Sequence, residues 1–355
     1  RGTIAAAAGI ARRRPGGGQA SALRSRMPPH RRPWSPSLPF PPADLPPRPR
    51  WFAGLDENGL GPRLGPLVVT GVLARAENDA AARLAEGPAL KSLASRLGDS
   101  KKLVCFGDSA LGEAWGRVLA RRRGDDPQTP AQLLELLALD DGGTLRGRCP
   151  DEGARMCWGV AGERFEAGEE LMAQVEADCA RLEKKGLHVE RARVALVCVR
   201  RLNEAKARGE TRLDVDLHSM ERLFLALRGD AGPGLVARCG KVGGIDRYAP
   251  RFRLLQPEPG SAVEERQEAS YRVAGARIHF VLDAEPKHML VALASLVGKW
   301  ARDLLTTRVV RHLRASDPSL PVASGYHDPL TRRLVEESAA QRAASGLPDD
   351  CFERS

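Results

Sequence analysis

The stretch Leu55–Pro66 reads Leu-Asp-Glu-Asn-Gly-Leu-Gly-Pro-Arg-Leu-Gly-Pro. The apolar run that leads into it, Trp51–Leu55, predicts a short buried strand that ends in a turn. The β-branched run that follows, Pro66–Arg75, predicts a second strand. Between the two strands the glycines are too frequent for regular structure. Their spacing, G-x-G-x-x-x-G, differs from that of a dinucleotide-binding loop, and a proline interrupts the expected helix start. This part of the chain therefore predicts two strands joined by an unusual loop.

Two adjacent carboxylates, Asp56 and Glu57, stand where the first strand is expected to end. We expect one side chain to face the end of the sheet while its neighbour lies in the turn. Together they offer the hard oxygen ligands that divalent metal ions prefer. The glycines that follow allow a ligand to approach the backbone closely and expose peptide N–H groups. The alternative is an acidic turn that satisfies its own backbone amides.

A second motif, Asp-Ser-Lys-Lys-Leu, spans Asp99–Leu103. Asp99 and Ser100 are both suitable N-caps of a helix, which is the structural interpretation. Lys101 and Lys102 would then lie in the first turn, where cations oppose the positive end of the helix. A phosphate bound at that N-terminus would explain both the cap and the lysines.

Two further candidates lie near the C-terminus. The acidic pair Asp283 and Glu285 precedes the clearest helix of the chain, His288–Leu313, whose apolar residues recur at intervals of three and four. Acids at a helix start are common partners of the helix dipole, so this pattern alone also fits a structural role. Gly325-Tyr326 forms an expected turn with an exposed aromatic ring, which either stacks on a sugar or base or precedes a capped helix.

The remaining pattern alternates strands and helices and indicates an α/β protein. The segment Lys241–Gly244 lacks the spacing and the hydroxyl of a phosphate-binding loop and is interpreted as a turn. Residues 124–160 are rich in Gly, Asp and Pro and are expected to form an insertion. Further helices are predicted over Asn78–Arg96, Ala110–Arg122, Ala131–Leu139, Gly162–Lys184 and Val215–Leu227. Further strands are predicted over Arg193–Arg200 and Gly234–Cys239, and one or two strands over Arg272–Leu282.

The charge is unevenly distributed along the 355 residues, whose formal net charge is +10. Residues 1–50 contain ten arginines, one acid and 11 of the 26 prolines, which predicts a disordered extension or, alternatively, a nucleic-acid-binding arm. Residues 51–355 contain 45 basic and 44 acidic residues and are nearly neutral. The overall basicity therefore says little about the body, which we expect to fold as one domain over residues 51–345.

Several classes of protein are excluded by what the sequence lacks. No run of 18 apolar residues is present, so no transmembrane helix is predicted. Seven scattered cysteines argue against a disulfide framework and favour a cytoplasmic protein with reduced thiols. The sequence has no H-E-x-x-H or G-x-S-x-G motif, and Cys149 and Cys157 do not have zinc-ligand spacing.

Taken in order, these motifs resemble those of the type 2 ribonuclease H family, ribonucleases HII and HIII. The resemblance covers roughly residues 51–340. It rests on the opening Asp-Glu and Gly-x-Gly-Pro motif, on the intact Asp-Ser-Lys-Lys-Leu, on an acid about ten residues ahead of Ala294-Ser295 with Lys299 and Arg302-Asp303 after it, and on Gly325-Tyr326. Four motifs in the right order are fairly specific.

The resemblance implies a ribonuclease H-like fold, with a mixed central sheet flanked by helices and a helical C-terminal extension. It implies an endoribonuclease that cleaves the RNA strand of RNA–DNA hybrids with Mg²⁺ or Mn²⁺ held by four carboxylates. Two cations about 4 Å apart would activate the attacking water and stabilise the leaving oxygen. The expected partner is nucleic acid, an RNA–DNA hybrid, and no association with a membrane is expected. The expected oligomeric state is a monomer.

The family's site residues carry over position by position. Asp56 and Glu57 match the first two metal ligands and Glu285 the fourth, with Glu where Asp is commoner and Asp283 as a less well-spaced alternative. The other matches are to substrate-binding groups: the backbone loop that senses the ribose 2′-hydroxyl, two phosphate contacts and a tyrosine that stacks on a sugar. They fall on Gly59, Leu60 and Gly61, on Lys101 and Lys102, and on Tyr326.

The sequence departs from the family at the third carboxylate. The family has an Asp at the end of a strand, and in this chain the matching position is Gly240. Asp246 lies beyond a glycine turn, and Asp214 and Asp216 lie upstream on another predicted element, so that any of them could substitute only with a rearranged backbone. Without that carboxylate, adjacent cations would repel each other strongly. A catalytically impaired homologue that binds hybrids without efficient cleavage is therefore the alternative, and an unrelated α/β enzyme or nucleotide-binding module is a third hypothesis.

Overall fold

A computed structural model describes residues 50–147, 149, 156–242 and 244–355. The described residues belong to one compact unit that extends to Ser355. The predicted disordered extension over residues 1–50 lies outside the described residues, apart from Arg50. Within the predicted insertion over residues 124–160, residues 148 and 150–155 are also outside them.

Seven strands form a single mixed sheet in the order β3-β2-β1-β4-β7-β6-β5. The first three strands pair antiparallel, whereas β1, β4 and β7 run parallel to one another, and the β7-β6-β5 edge is antiparallel again. The strands are β1 (Trp51–Asn58), β2 (Leu67–Ala76), β3 (Leu187–Val197), β4 (Val236–Gly240), β5 (Val263–Glu264), β6 (Glu268–Val273) and β7 (Ala276–Val281).

Thirteen helices are present among the described residues, and most of them flank this sheet or extend it at the C-terminus. They are α1 (Asp79–Glu86), α2 (Ser100–Leu103), α3 (Ala110–Arg121), α4 (Pro130–Leu137), α5 (Gly142–Arg146), α6 (Glu169–Glu183), α7 (Val199–Ala207), α8 (Arg212–Ala231), α9 (Ala284–Lys287), α10 (Met289–Arg314), α11 (Pro329–Glu337), α12 (Ala339–Ala344) and α13 (Asp349–Phe352). The expected α/β class, a mixed central sheet flanked by helices with a helical C-terminal extension, is confirmed.

The two faces of the sheet bury separate apolar cores because strand side chains alternate between faces. On one face Phe52 packs with α10 and α3. On the other face Ala53 and Leu55 pack with the apolar side of α8. The alternation continues to the end of β1, so that Asp56 faces α10 and Glu57 faces α8.

Gly54 allows α10 to approach the sheet closely. A β-carbon at this position would lie 2.1 Å from the carbonyl carbon of Leu290 and 2.3 Å from the amide nitrogen of Val291. No larger residue fits there without moving the helix, since protein interiors have no free space of that size. The glycine therefore sets the distance between β1 and the helix that carries Ser295 and Lys299.

Several predicted boundaries were wrong for identifiable reasons. The first strand continues beyond Leu55 to Asn58, because Asp56, Glu57 and Asn58 pair with β2. The predicted helix over Asn78–Arg96 ends at Glu86, where Gly87-Pro88 stops it. The segment predicted as a strand over Arg193–Arg200 is the second half of the longer β3, and α7 was missed.

The parallel strands determine where a site can form. The carboxyl ends of β1, β4 and β7 lie at the same edge of the sheet, because the three strands are parallel neighbours. Asp56 and Glu57 lie in the last three residues of β1, Gly240 ends β4, and Glu285 follows β7 on α9. Residues that are far apart in the sequence therefore meet at one edge. Separately, no helix in the described ranges is long and apolar enough to span a bilayer.

Candidate active site

Asp56 and Glu57 lie inside β1 and not in a turn after it. The expectation that one of them lies in the turn was wrong, because both pair in register with β2, opposite Thr70 and Val69. Asp56 is buried, with 7 % of its surface exposed, and Glu57 is half-buried. The two adjacent side chains thus leave the backbone on opposite faces of the sheet, near the carboxyl end of β1.

The acids of this edge influence each other electrostatically. Burial raises the pKa of Asp56 well above its ordinary value, and the charges of Glu57 and Glu285 raise it further. Burial and the Glu285 charge raise the pKa of Glu57 to about 7, while hydrogen bonding and Lys101 act in the opposite direction. Buried acids whose pKa values are raised by neighbouring carboxylates are typical of functional sites.

Glu285 is held by the start of the Asp-Ser-Lys-Lys-Leu segment. Its Oε2 accepts hydrogen bonds from the Ser100 backbone N–H at 2.9 Å and from the Ser100 hydroxyl at 2.5 Å. Asp283, the alternative acid, is exposed and adopts a left-handed conformation with φ of 52°. Glu285 is therefore the acid of this pair that the fold connects to the site.

Helix α10 supplies the polar groups beneath the acids. The Ser295 hydroxyl lies 2.9 Å from that of Ser100, and the Ser295 carbonyl accepts a bond of 3.3 Å from the Asn58 side chain. Burial lowers the pKa of Lys299, while the charges of Glu285 and Asp56 oppose the shift. Lys299 is thus a lysine of α10 that interacts electrostatically with both Glu285 and Asp56.

The lysines of the second motif point to solvent. Asp99 is the N-cap of α2 and accepts a bond from the Lys101 backbone N–H at 3.1 Å. Lys101 and Lys102 are exposed, and Lys102 lies 3.6 Å from the Asp99 carboxylate. The backbone N–H of Ser100 is used by Glu285, so in this structure a protein carboxylate stands where the sequence suggested a phosphate.

The glycine loop is fixed through its carbonyl groups. Buried Arg354, at the C-terminus, donates to the Gly59 carbonyl at 2.5 Å and to the Gly65 carbonyl at 2.8 and 2.6 Å. Arg212 of α8 lies 3.3 Å from the Leu60 carbonyl oxygen and 3.4 Å from that of Gly61. Neither arginine could be predicted from a local pattern, because both reach the loop from distant segments.

Tyr326 is brought to the same loop. The Gly325 carbonyl accepts bonds from the backbone N–H groups of Arg63 at 2.8 Å and Leu64 at 3.0 Å. The Arg302 guanidinium lies over the Tyr326 ring, 4.6 Å from its centre, and a β-carbon at Gly59 would lie 2.8 Å from Arg302 Nε. The ring is 48 % exposed and is therefore available for contact.

Gly240 lies beside the first two acids. It is the last residue of β4, so the strand runs one residue further than Gly234–Cys239 predicts. A β-carbon at this position would lie 2.8 Å from Oδ1 of Asp56 and 3.7 Å from Oε2 of Glu57. A side chain here would therefore enter the space beside Asp56 and Glu57.

A further buried acid, Asp216, lies behind the pair. It is 0 % exposed on α8, and the charges of Glu57 and Asp56 raise its pKa, after burial as the largest cause. A signal in the sequence was available, because Asp216 falls on the same helical face as the buried Met220, Leu223 and Leu227. Helix α8 packs on β1 and β2, and the charges of Glu57 and Asp56 reach Asp216 from there.

The donors fit a hard divalent cation better than any softer ion. All the candidate ligands are carboxylates, which are the groups that Mg²⁺ and Mn²⁺ favour. Both oxygens of Asp216 are buried and have no hydrogen-bond partner, so at least one acid has capacity for a cation. Within the described part of the chain, however, no three acidic, His or Cys side chains already surround a point where a metal ion could be held.

No protein-family model and no curated protein matches the chain. Solved structures that are similar to it are ribonucleases of the HII and HIII types. Ribonuclease HII of Archaeoglobus fulgidus, solved in a complex with PCNA, is 20% identical over 85% of this chain and 92% of that one, with a TM-score of 0.38. Ribonuclease H2 of Pyrococcus horikoshii is 16% identical over 85% and 92%, with a TM-score of 0.36. Bst-RNase HIII, solved with Mn²⁺, is 12% identical over 86% and 66%, with a TM-score of 0.40. Each is a distant likeness.

Proposed function

We infer that this chain is a metal-dependent endoribonuclease that cleaves the RNA strand of RNA–DNA hybrids. One observation carries the proposal: Asp56 and Glu57 of β1 and Glu285 of α9 lie at one edge of the sheet, and the charge of Glu285 raises the pKa of both other acids. Acids with raised pKa values concentrate at functional sites. The motif order in the sequence supplies the substrate class.

Three carboxylates are the candidate metal ligands: Asp56, Glu57 and Glu285. When bound there, Mg²⁺ or Mn²⁺ supplies Lewis-acid activation of the attacking water and stabilisation of the leaving oxygen. The protein's own contribution is to hold the acids in place. Ser100 orients Glu285 through two hydrogen bonds, and Gly54 sets the spacing between β1 and α10.

The glycine loop is the candidate reader of the sugar. The backbone groups of Gly59, Leu60 and Gly61 are proposed to contact the ribose 2′-hydroxyl, the group that distinguishes RNA from DNA. Arg354 and Arg212 support this role because they hold the loop's carbonyl oxygens and so fix the plane of each peptide. A fixed backbone discriminates between sugars better than a mobile one, since no ordering is needed on binding.

The flanking groups fit a nucleic-acid strand. Tyr326 presents half of its surface next to the loop, where it is proposed to stack on the sugar beside the cleaved bond. Lys101 and Lys102 are exposed on α2, next to the Ser100 that holds Glu285, and are proposed to contact phosphates. Because residues 51–355 are nearly neutral overall, we propose that their phosphate contacts depend on local lysines such as these.

A second function is favoured by one specific observation. Gly240 ends β4 at the point where a side chain would touch Asp56, and it has no side chain. On this alternative the protein binds RNA–DNA hybrids without cleaving them efficiently. It predicts binding that weakens as salt concentration rises, because phosphate contacts release counterions, together with little or no product.

A cleavage assay tests the proposal. The full chain is incubated with the same labelled RNA strand annealed to DNA or to RNA, and with a DNA–DNA duplex, in Mg²⁺ and separately in Mn²⁺. We expect cuts in the RNA strand of the hybrid alone and none after chelation. Folded protein that binds the hybrid but yields no product in either metal would favour the second function. Equal cutting of all duplexes would contradict the proposed substrate class.

A further inference from the structure

Asp216 is an acid that the fold buries without compensation. Its side chain is 0 % exposed, and neither carboxylate oxygen has a hydrogen-bond partner. The causes that shift its pKa are burial and the charges of Glu57 and Asp56, and all three raise it. A buried carboxylate with neither donors nor a cation costs several kcal/mol of folding free energy, so a retained one indicates a partner absent from the chain itself.

Another acid on the same helix shows that α8 is able to satisfy a buried carboxylate. Glu221 is also 0 % exposed, and it accepts backbone hydrogen bonds of 2.9 to 3.2 Å from Arg253, Leu254 and Leu255. The unsatisfied state of Asp216 is therefore particular to its position. The charges that act on Asp216 are those of Glu57 and Asp56, and Asp216 in turn acts on Cys239 near the end of β4.

The other acids that could approach the β4 corner already have partners. Asp246 is 54 % exposed at its side chain and is bonded to Lys241 Nζ at 2.5 Å. Asp214 forms a capping box with Thr211 and an ion pair of 2.6 Å with Arg251. Of the three acids that the sequence offers in place of a residue at position 240, Asp216 alone has unpartnered oxygens in the described structure.

Gly240, which has no side chain, is the position that Asp216 is compared with. A side chain there would start 2.8 Å from Asp56 Oδ1 and 3.7 Å from Glu57 Oε2. An acid at both positions would add a further negative charge to Asp56, Glu57 and Glu285, and the repulsion between them would rise. Repulsion therefore favours a carboxylate at one of the two positions over a carboxylate at both.

We propose that Asp216 supplies the third carboxylate of the divalent-cation site, from helix α8, in place of the side chain that is absent at Gly240. The ligand is a hard cation, Mg²⁺ or Mn²⁺. The inference rests on the proposed function, since it names a ligand of the same site. It removes the reason to regard the chain as impaired, because the carboxylate has changed its position in the sequence and has not been lost.

Mn²⁺ binding to the full-length protein tests the proposal without reference to catalysis. Calorimetric titration with Mn²⁺ alone is performed on the natural chain, on Asp216→Asn, on Asp216→Asn/Gly240→Asp and on Asp230→Asn. The last is a matched control, because Asp230 lies on the same helix but pairs with Arg191 at 2.7 Å away from the site. Circular dichroism establishes that each variant is folded, and hybrid cleavage is recorded on the same samples.

We expect Asp216→Asn to weaken Mn²⁺ binding by about ten-fold or more, since even residues behind a metal ligand have effects of that size. Asp230→Asn should bind as the natural chain does, and the double variant should recover most of the affinity. Equal binding by Asp216→Asn and the natural chain would overturn the proposal, as would no binding by the natural chain. If the folded double variant does not recover Mn²⁺ affinity, a carboxylate at position 240 does not replace the one at position 216, and that part of the proposal is overturned.

The failures of the two proposals are distinguishable in this experiment. If Asp216→Asn loses Mn²⁺ binding but the natural chain cuts no hybrid, the ligand assignment stands and the proposed nuclease function fails. If Asp216→Asn cuts hybrid as fast as the natural chain and binds Mn²⁺ equally well, the nuclease function stands and the assignment of Asp216 fails.

Discussion

Ser100 and Glu285, which are 185 residues apart, form a two-point contact in which the serine backbone and hydroxyl both donate to the same carboxylate oxygen. The contact connects the Asp-Ser-Lys-Lys-Leu motif to the acid that follows β7. It also extends into α10, because the Ser100 hydroxyl lies 2.9 Å from that of Ser295. The motif therefore acts first as a support for an acid, and its exposed lysines are a separate feature.

Replacing Ser100 by alanine should loosen Glu285 without removing it. The hydroxyl bonds to Glu285 and Ser295 are lost, and we expect the free energy of unfolding to fall by about 2 kcal/mol. Mn²⁺ affinity should fall about ten-fold, because a ligand loses its orienting partner. Urea unfolding and Mn²⁺ titration measure the two effects. Ser95→Ala, at an exposed position five residues earlier, should change neither; unchanged Mn²⁺ affinity in Ser100→Ala would contradict the orienting role.

Replacing Arg354 by lysine should disturb the glycine loop. Lysine cannot reproduce the fork that bonds the carbonyls of Gly59 and Gly65, so buried acceptors are left unsatisfied. We expect a loss of about 3 kcal/mol in unfolding free energy. The preference for hybrid over DNA duplex should also fall, as measured by competition binding. Arg333→Lys, in an exposed pair with Glu337, serves as the control. A preserved preference in Arg354→Lys would separate the loop from sugar recognition.

Asp303 should make stability depend on pH. Burial raises the pKa of this carboxyl from 3.8 to about 7, although Arg302 and Lys299 oppose the shift. The native state then keeps a proton that the unfolded chain releases near pH 4, so the contribution of this group to stability falls as the pH rises from about 4 to about 7. Between pH 5 and pH 8, Asp303→Asn should lose about 2 kcal/mol less than the natural chain.

Urea unfolding at the two pH values measures this difference. Asp317→Asn is the matched control, because the Asp317 carboxyl is exposed and hydrogen bonds from Ser319 lower its pKa, so that it stays ionised over this range. The free energy of unfolding should therefore fall less steeply with pH in Asp303→Asn than in Asp317→Asn. Parallel pH profiles for Asp303→Asn and the natural chain would show that the Asp303 carboxyl is ionised at both pH values.

Two glycine-to-alanine changes should have opposite effects. At Gly54 a methyl group would overlap the backbone of α10 at Leu290, and we expect a loss of about 3 kcal/mol or more. At Gly229, inside α8, a methyl group meets nothing within 4 Å, and alanine should stabilise the helix by about 0.5–1 kcal/mol. Thermal unfolding of both variants is sufficient, and a neutral Gly54→Ala would mean that β1 and α10 lie further apart than described here.

The fold class was accessible from sequence because it depends on local patterns. The β-branched run near Val68 and the three- and four-residue repeat around Leu293 each determine their own element. Strand ends were less accessible, since Asp56, Glu57 and Asn58 are poor strand formers that extend β1 only because β2 offers them a pairing edge. Tertiary pairing, which no local pattern encodes, overrides propensity at that point.

The candidate site was accessible only in part. Asp56, Glu57 and Glu285 stand in motifs whose order indicates a common site, whereas Arg354 and Asp216 stand in none. Both act through long-range contacts: Arg354 crosses from the C-terminus to the glycine loop, and Asp216 reaches Glu57 because α8 packs on the sheet. The one local sign was an acid on the apolar face of a helix, which marks a buried charge but not its partner.

The rate at which the RNA strand of a labelled RNA–DNA hybrid is cut in Mn²⁺ is the most direct test of the carboxylate site, when the natural chain is compared with Asp56→Asn. The charges of Glu57 and Glu285 both act on Asp56, and a β-carbon at Gly240 would lie 2.8 Å from its Oδ1, so its carboxylate is central to any cation site. We expect cleavage by the natural chain and a loss of at least about a hundred-fold, close to 3 kcal/mol of barrier, in a folded Asp56→Asn variant. Equal rates for the two proteins, or no cleavage by the natural chain, would contradict the proposal that these acids form the catalytic centre of a hybrid-specific ribonuclease.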